Sequence, residues 1–152
     1  MLLGAALQEL KIKKSKLARL YRLREDTFNV LENKSAEVEF GQVSNEINEL
    51  VQEIRDLKVK IAKTNAYSTV SVEGRDICIQ ELILLIGDLR SELMQHEALK
   101  PRGPVYLGGQ AVEYIPQRKQ DEIAAAIAEL EQRKADLDKI LQAQNWMVEL
   151  VD

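Results

Sequence analysis

Four stretches of the chain place an apolar side chain at every third or fourth residue, with polar residues filling the positions between. In the first, Leu3, Leu7, Leu10, Lys14, Leu17, Tyr21, Arg24, Phe28 and Leu31 follow one another in alternating steps of four and three. A helical backbone gathers such positions on one face, and the mean step of 3.5 is the seam of one helix packed along another. The cleanest series is the second, Val43, Ile47, Leu50, Ile54, Leu57, Ile61 and Thr64. A third runs Ile79, Leu82, Ile86, Leu89, Leu93, His96, and a fourth Ile123, Ile127, Leu130, Lys134, Leu137, Leu141, Gln144. The pattern predicts helices over about 3–31, 43–64, 77–99 and 117–144. Ser44 or Asn45 is the expected cap of the second, and Asp56 with Lys60 and Glu129 with Arg133 are expected ion pairs one turn apart.

The breaks differ in kind. Residues 32–42 contain the loop-formers Asn33, Ser35 and Gly41. After Asn65, Thr69, Val70 and Val72 favour extended backbone, and Glu73-Gly74 favours a turn. Residues 100–116 hold all three prolines, and there Val105-Tyr106-Leu107 and Ala111–Ile115 flank Gly108-Gly109, the pattern of a β-hairpin at about 105–115. The third helix also carries Ile83 and Leu85, so more than one of its faces is apolar; it should be central, or covered by oligomerisation. The expected fold is mainly all-α: a single elongated domain over 1–152, with four long antiparallel coiled-coil-like helices and a short hairpin between the third and fourth. No fixed-period repeat is present.

Composition narrows the class. With 45% hydrophobic and 30% charged residues the chain is neither disordered nor membrane-embedded, and with 5% aromatic its core must be aliphatic. A net charge of −4 gives no reason to expect nucleic acid as a partner. Lys11, Lys13, Lys14, Lys16, Arg19, Arg22 and Arg24 make the first helix basic, whereas Glu46, Glu49, Glu53 and Asp56 make the second acidic. Complementary flanks of neighbouring helices explain both, with Lys14 and Arg24 fixing register. Met1–Leu7 is apolar without a basic n-region, so no signal peptide is expected. Leu82–Ile86 is far short of the about 20 residues a transmembrane helix needs. Cys78 is the sole cysteine, which excludes an intrachain disulfide and fits a cytoplasmic location.

Candidate chemistry is sparse. His96 is the only histidine, so neither a multi-histidine zinc site nor a di-iron bundle can be assembled, and Glu92 beside it offers at most a weak surface clip. Cys78 lies between Ile77 and Ile79, where a thiol is usually a small buried hydrophobe. Gly103-Pro104 and Gly108-Gly109 match no phosphate-binding loop. No catalytic, cofactor or metal residue is assigned, no cofactor is expected, and the reading leans away from an enzyme. The interface candidates are Trp146 and Leu150 in the C-terminal tail and Tyr106 and Tyr114 in the hairpin region, because aromatic anchors dominate subunit contacts and a hairpin arm can add a strand to a neighbour. A homo-oligomer is expected; no small-molecule ligand is indicated.

Two motifs resemble the septicolysin-like family of small, functionally uncharacterised bacterial proteins. One is Ile61-Ala62-Lys63-Thr64-Asn65 followed by Thr69 and Gly74; the other is Leu137-Asp138, Leu141-Gln142, Asn145-Trp146 and Glu149-Leu150. Leu3, Ala6-Leu7 and Glu113-Tyr114-Ile115 fit less specifically, and the third helix matches weakly. The resemblance spans nearly the whole chain and implies no catalytic residues. Its family name implies a cytolysin, against which stand the missing export signal and hairpin strands of about five residues, where a membrane-spanning strand needs about 9–11. Three functions are expected in descending order: a non-enzymatic oligomeric interaction or structural protein, a membrane-active cytolysin-like toxin, and an enzyme with its site at a subunit junction.

Overall fold

The computed structural model describes residues 1–152. Its elements in chain order are α1 (Leu3–Asp26), α2 (Phe40–Tyr67), β1 (Thr69–Val72), β2 (Arg75–Cys78), α3 (Ile79–Glu97), β3 (Val105–Leu107), β4 (Gln110–Val112) and α4 (Gln120–Asn145). The helices pack as two pairs, α1 along α2 and α3 along α4. In the first pair Lys13 meets Glu53, Lys16 meets Glu46 and Arg24 meets Ser44, so numbers rise on one helix as they fall on the other. The second pair is antiparallel too, with His96 near the end of α3 beside Glu122 and Ala126 near the start of α4. The pairs form two arms that touch at a common junction, and the apolar interior divides accordingly into three clusters.

On α2 the buried positions are Val43, Ile47, Leu50, Ile54, Leu57, Ile61 and Thr64, every residue of the predicted seam. On α1 the seam is shifted at every second position. Leu3, Leu10, Leu17 and Arg24 turn inward, but Ala6 is buried where Leu7 is 37% exposed, and Leu20 is buried where Tyr21 is 44% exposed. Lys13, not Lys14, takes the position between, its ammonium reaching Glu53 across the pair. Next to the junction the small Ala6 is buried against Leu57 and Ile61 of α2 and Ile79 of α3, and the larger Leu7 faces outward. The helix also stops five residues sooner than its pattern, at Asp26, where the Thr27 hydroxyl donates to the Leu23 carbonyl; Phe28 and Leu31 belong to the connecting loop.

Three other local expectations are corrected. Helix α2 begins at Phe40 and is capped by Glu39, whose carboxylate accepts from the amides of Gly41 and Gln42, instead of by Ser44 or Asn45. Arg133 turns from Glu129 to Glu73, on the turn between β1 and β2. Asp56 and Lys60 make no ion pair.

The extended stretch after α2 is half of an additional hairpin, whose return strand, β2, spans Arg75–Cys78 and so takes Ile77 and Cys78 from the start of the predicted third helix. Both hairpins turn through two residues of positive φ, Glu73-Gly74 and Gly108-Gly109, the twist-matched geometry for a two-residue loop. They differ in what they touch. Val70, Val72 and Ile77 of the first pack on Leu82, Ile86, Leu89 and Leu137 of the second arm. The strands of the second hairpin are exposed apart from half-buried Val105.

At the junction, Leu3, Ala6 and Ile79 are fully buried with Leu57 and Ile61. The chain ends are tied there: the Leu3 amide donates to the Val148 carbonyl, Leu150 to Met1, and the Val151 amide to Thr64 Oγ1. The indole of Trp146 lies across Gly4, where a Cβ would come within 2.9 Å of both the ring and the Asn145 carbonyl oxygen. Alanine in place of glycine ordinarily strengthens a helix by about 0.5–1 kcal/mol. Gly4→Ala should instead weaken this protein by about 1–3 kcal/mol, the cost of overpacking. Thermal unfolding followed by circular dichroism checks this; a raised melting temperature would contradict the packing of Trp146 on α1.

Candidate functional site

The residues with latent chemistry are dispersed and locally satisfied. Cys78 caps α3, its half-buried sulfur accepting the Glu81 amide at 3.4 Å. His96 Nδ1 lies 3.0 Å from the Glu92 carbonyl oxygen and 3.2 Å from its carboxylate. No group of three or more His, Cys, Asp or Glu side chains is placed to hold a metal ion. Every buried side-chain nitrogen and oxygen has a hydrogen-bond partner, so none is left aimed at a ligand. The main surface depressions are open grooves, such as those along Leu7, Lys11 and Lys14 on α1 and around Phe28 and Phe40 at the first arm's tip. No helix is long and apolar enough to cross a membrane.

Electrostatics is concentrated at two inter-element contacts. The hydrogen bond from Lys13 to Glu53, 2.6 Å long, is the main reason the lysine's pKa lies above its ordinary value and the glutamate's below. Glu9 adds a second carboxylate 3.4 Å from the same ammonium. The basic first helix and acidic second are therefore complementary flanks in fact; Lys11, Lys14, Arg19 and Arg22 remain exposed. At the other contact, Arg133 grips Glu73 with two bonds of 2.7 and 2.9 Å, which lower the carboxyl's pKa and raise the guanidinium's. This fork secures a residue whose φ of 50° is unfavourable for a side chain larger than glycine.

What the surface does offer is apolar. The four interface candidates separate into two places. Trp146 is 48% exposed at the junction, and Leu150 is half-buried against the junction cluster. Tyr106 and Tyr114 lie in the connection between α3 and α4 at the tip of the second arm; Tyr106 is 73% exposed, and Tyr114 lies under the Arg102 guanidinium at 4.5 Å. One chain does not bring the two places together. Leu99, Leu107 and Ile115 are exposed near the second tip, and the rings of Phe28 and Phe40 meet edge-to-face at the first. Sequence reasoning missed Leu84 and Met94, which project from the outer side of α3. Their signal was present as apolar residues off the third seam, but Ile83 and Leu85 drew the attention instead.

No protein-family model matches the chain, and no curated protein matches it. Its fold is similar to that of a functionally unknown conserved protein from Corynebacterium diphtheriae, known from its crystal structure, with a TM-score of 0.81 over 99% of each chain at 18% identity. At that identity the likeness concerns the fold alone.

Two outcomes are expected of these contacts. A carboxyl with a depressed folded pKa stabilises above its ordinary range, and the benefit disappears as pH falls through it. Arg133→Met should therefore lower stability at pH 7, and the gap from the parent protein should shrink between about pH 5 and 3; urea titrations across that range measure it. Replacing Val105–Val112 by a glycine-serine linker should leave helical content unchanged and shift the melting temperature by no more than about 2 °C, since a lone two-stranded hairpin adds little stability.

Proposed function

We propose that the protein is a non-enzymatic interaction or structural protein that works as a homo-oligomer. The observation that carries this reading is the accessible surface of the single chain, 11,298 Å². A compact monomer of this length exposes about 7,800 Å². An extended shape accounts for surplus polar surface, but here the surplus includes large apolar side chains: Leu84, Met94, Leu107, Ile115 and Met147 are all more than half exposed. The difference, about 3,500 Å², is several times the roughly 800 Å² that each partner contributes to a stable interface. Large exposed apolar patches mark surfaces that another molecule covers, and a second copy of the chain is the occupant in this reading.

The finer parts of this reading follow the same line. The helix pairs are taken as coiled-coil-like, the chain as one elongated domain and its location as cytoplasmic. The hairpin at 105–112 is taken as an arm, with Tyr106, Tyr114, Trp146 and Leu150 as contact residues. Membership of the septicolysin-like family is part of the proposal too. Its support is that Thr64, Asn145 and Trp146, which belong to the two resembling motifs, all lie at the junction: Thr64 accepts the Val151 amide, and the Asn145 carbonyl and the Trp146 ring pack on Gly4.

Gel filtration coupled to light scattering tests the central point. At 10–100 μM, on the order of ordinary working concentrations, the expected mass is that of a dimer or a larger assembly. A mass equal to one chain across that range would remove the proposal.

A further inference from the structure

The outer face of α3 carries a second seam. Gln80, Leu84, Gly87, Ser91, Met94 and Ala98 follow one another in steps of four, three, four, three and four, the same spacing as the buried seam on the helix's other side. None is charged, in a chain where 30% of residues are. Leu84 is 60% and Met94 63% exposed, and neither α4 nor the first hairpin covers them. Resting on the oligomeric reading above, we infer that this seam is where a second copy of the chain docks, α3 against α3 about a two-fold axis.

Three observations commit the face to a second copy. The first is Gly87. A glycine in mid-helix costs about 1 kcal/mol relative to alanine. The fold of one chain does not require it: its φ is negative, and a Cβ built there meets nothing within 4 Å. Its absent side chain is of use only to a backbone approaching from outside.

The second is symmetry. Small residues, Gly87 and Ser91, occupy the middle of the seam, and the larger Leu84 and Met94 stand on either side. An isologous contact sets a surface against itself. In either sense of the pairing the backbones approach at Gly87 and Ser91, and Leu84 and Met94 pack on their counterparts to close the ends.

The third is area. From Gln80 to Ala98 the seam is about 27 Å long, with Leu84 and Met94 largely exposed along it, and a standard dimer needs approximately 800 Å² per partner. Leu99 continues the exposed apolar surface beyond its end, towards Leu107 and Ile115 at the arm's tip. These side chains extend the apolar surface open to a second copy.

The experiment compares the wild-type chain with Gly87→Gln, with Leu84→Glu/Met94→Glu, and with Ile12→Glu as a control on the exposed face of α1. Light scattering after gel filtration reads mass, and circular dichroism reads folding. Gly87→Gln removes a helix-weakening residue and places its side chain in open space, so it should stay fully helical while the mass falls to that of one chain. The double variant should fall likewise, and Ile12→Glu should match the wild type. A wild-type oligomer unaffected by either α3 variant overturns the seam and leaves the oligomeric reading standing. A wild-type monomer overturns that reading, and the seam with it.

Discussion

Two antiparallel helix pairs become one molecule at the junction, and the other contacts elaborate that arrangement. Either pair alone is a two-helix ribbon with a one-sided core, too little buried surface to order some seventy residues. At the junction the starts of α1 and α3 meet the ends of α2 and α4, and Leu3, Ala6 and Ile79 lose all contact with water. Backbone bonds from residues 148–151 to Met1, Leu3 and Thr64 then close the site around that apolar contact. Small residues sit where this packing is tight: Gly4 under the Trp146 ring, and Ala6 among Leu57, Ile61 and Ile79.

Away from the junction each arm solves the same problem with different material. The first pairs a basic helix with an acidic one, and Lys13 and Lys16 bridge its edge. The second is thickened by a hairpin, which lays Val70, Val72 and Ile77 over α3 and α4 and is fastened by Glu73 to Arg133. The comparison between the two hairpins is instructive because their turns are alike. One is held by three buried side chains and an ion pair; the other, with the same turn geometry, is held by its own ladder alone.

How far the sequence could be read depended on how many solutions each stretch allowed. In α2 one set of positions is aliphatic and the remainder is mostly charged or amide, so only one face could be inside, and all seven seam residues were legible. In α1 two sets compete. Ala6, Lys13 and Leu20 run parallel to Leu7, Lys14 and Tyr21, and the larger side chains of Leu7 and Tyr21 favour the set that the structure leaves exposed. What decided it was the space left by other elements, which periodicity along one helix does not encode. The hairpin at Gly108-Gly109 was visible because prolines and glycines isolate it. The strand Arg75–Cys78 was not, because the apolar run Ile77-Cys78-Ile79 leads without a break into the helical pattern that follows. Trp146 and Leu150 follow α4 in the tail, and their distance from Tyr106 and Tyr114 is a property of the assembled fold.

Only 20 of 152 residues are buried, and most lie in single file along helix seams. A seam position asks for an aliphatic side chain of roughly suitable bulk and accepts several. The remaining positions face solvent and are constrained mainly by helix propensity, which many residues satisfy. An architecture of this kind stores little of its identity in particular letters. Chains sharing it can differ at most positions while the backbone path stays the same, as the pairing of 18% identity with a TM-score of 0.81 illustrates. Likeness among such chains is carried by their shape more than by their spelling.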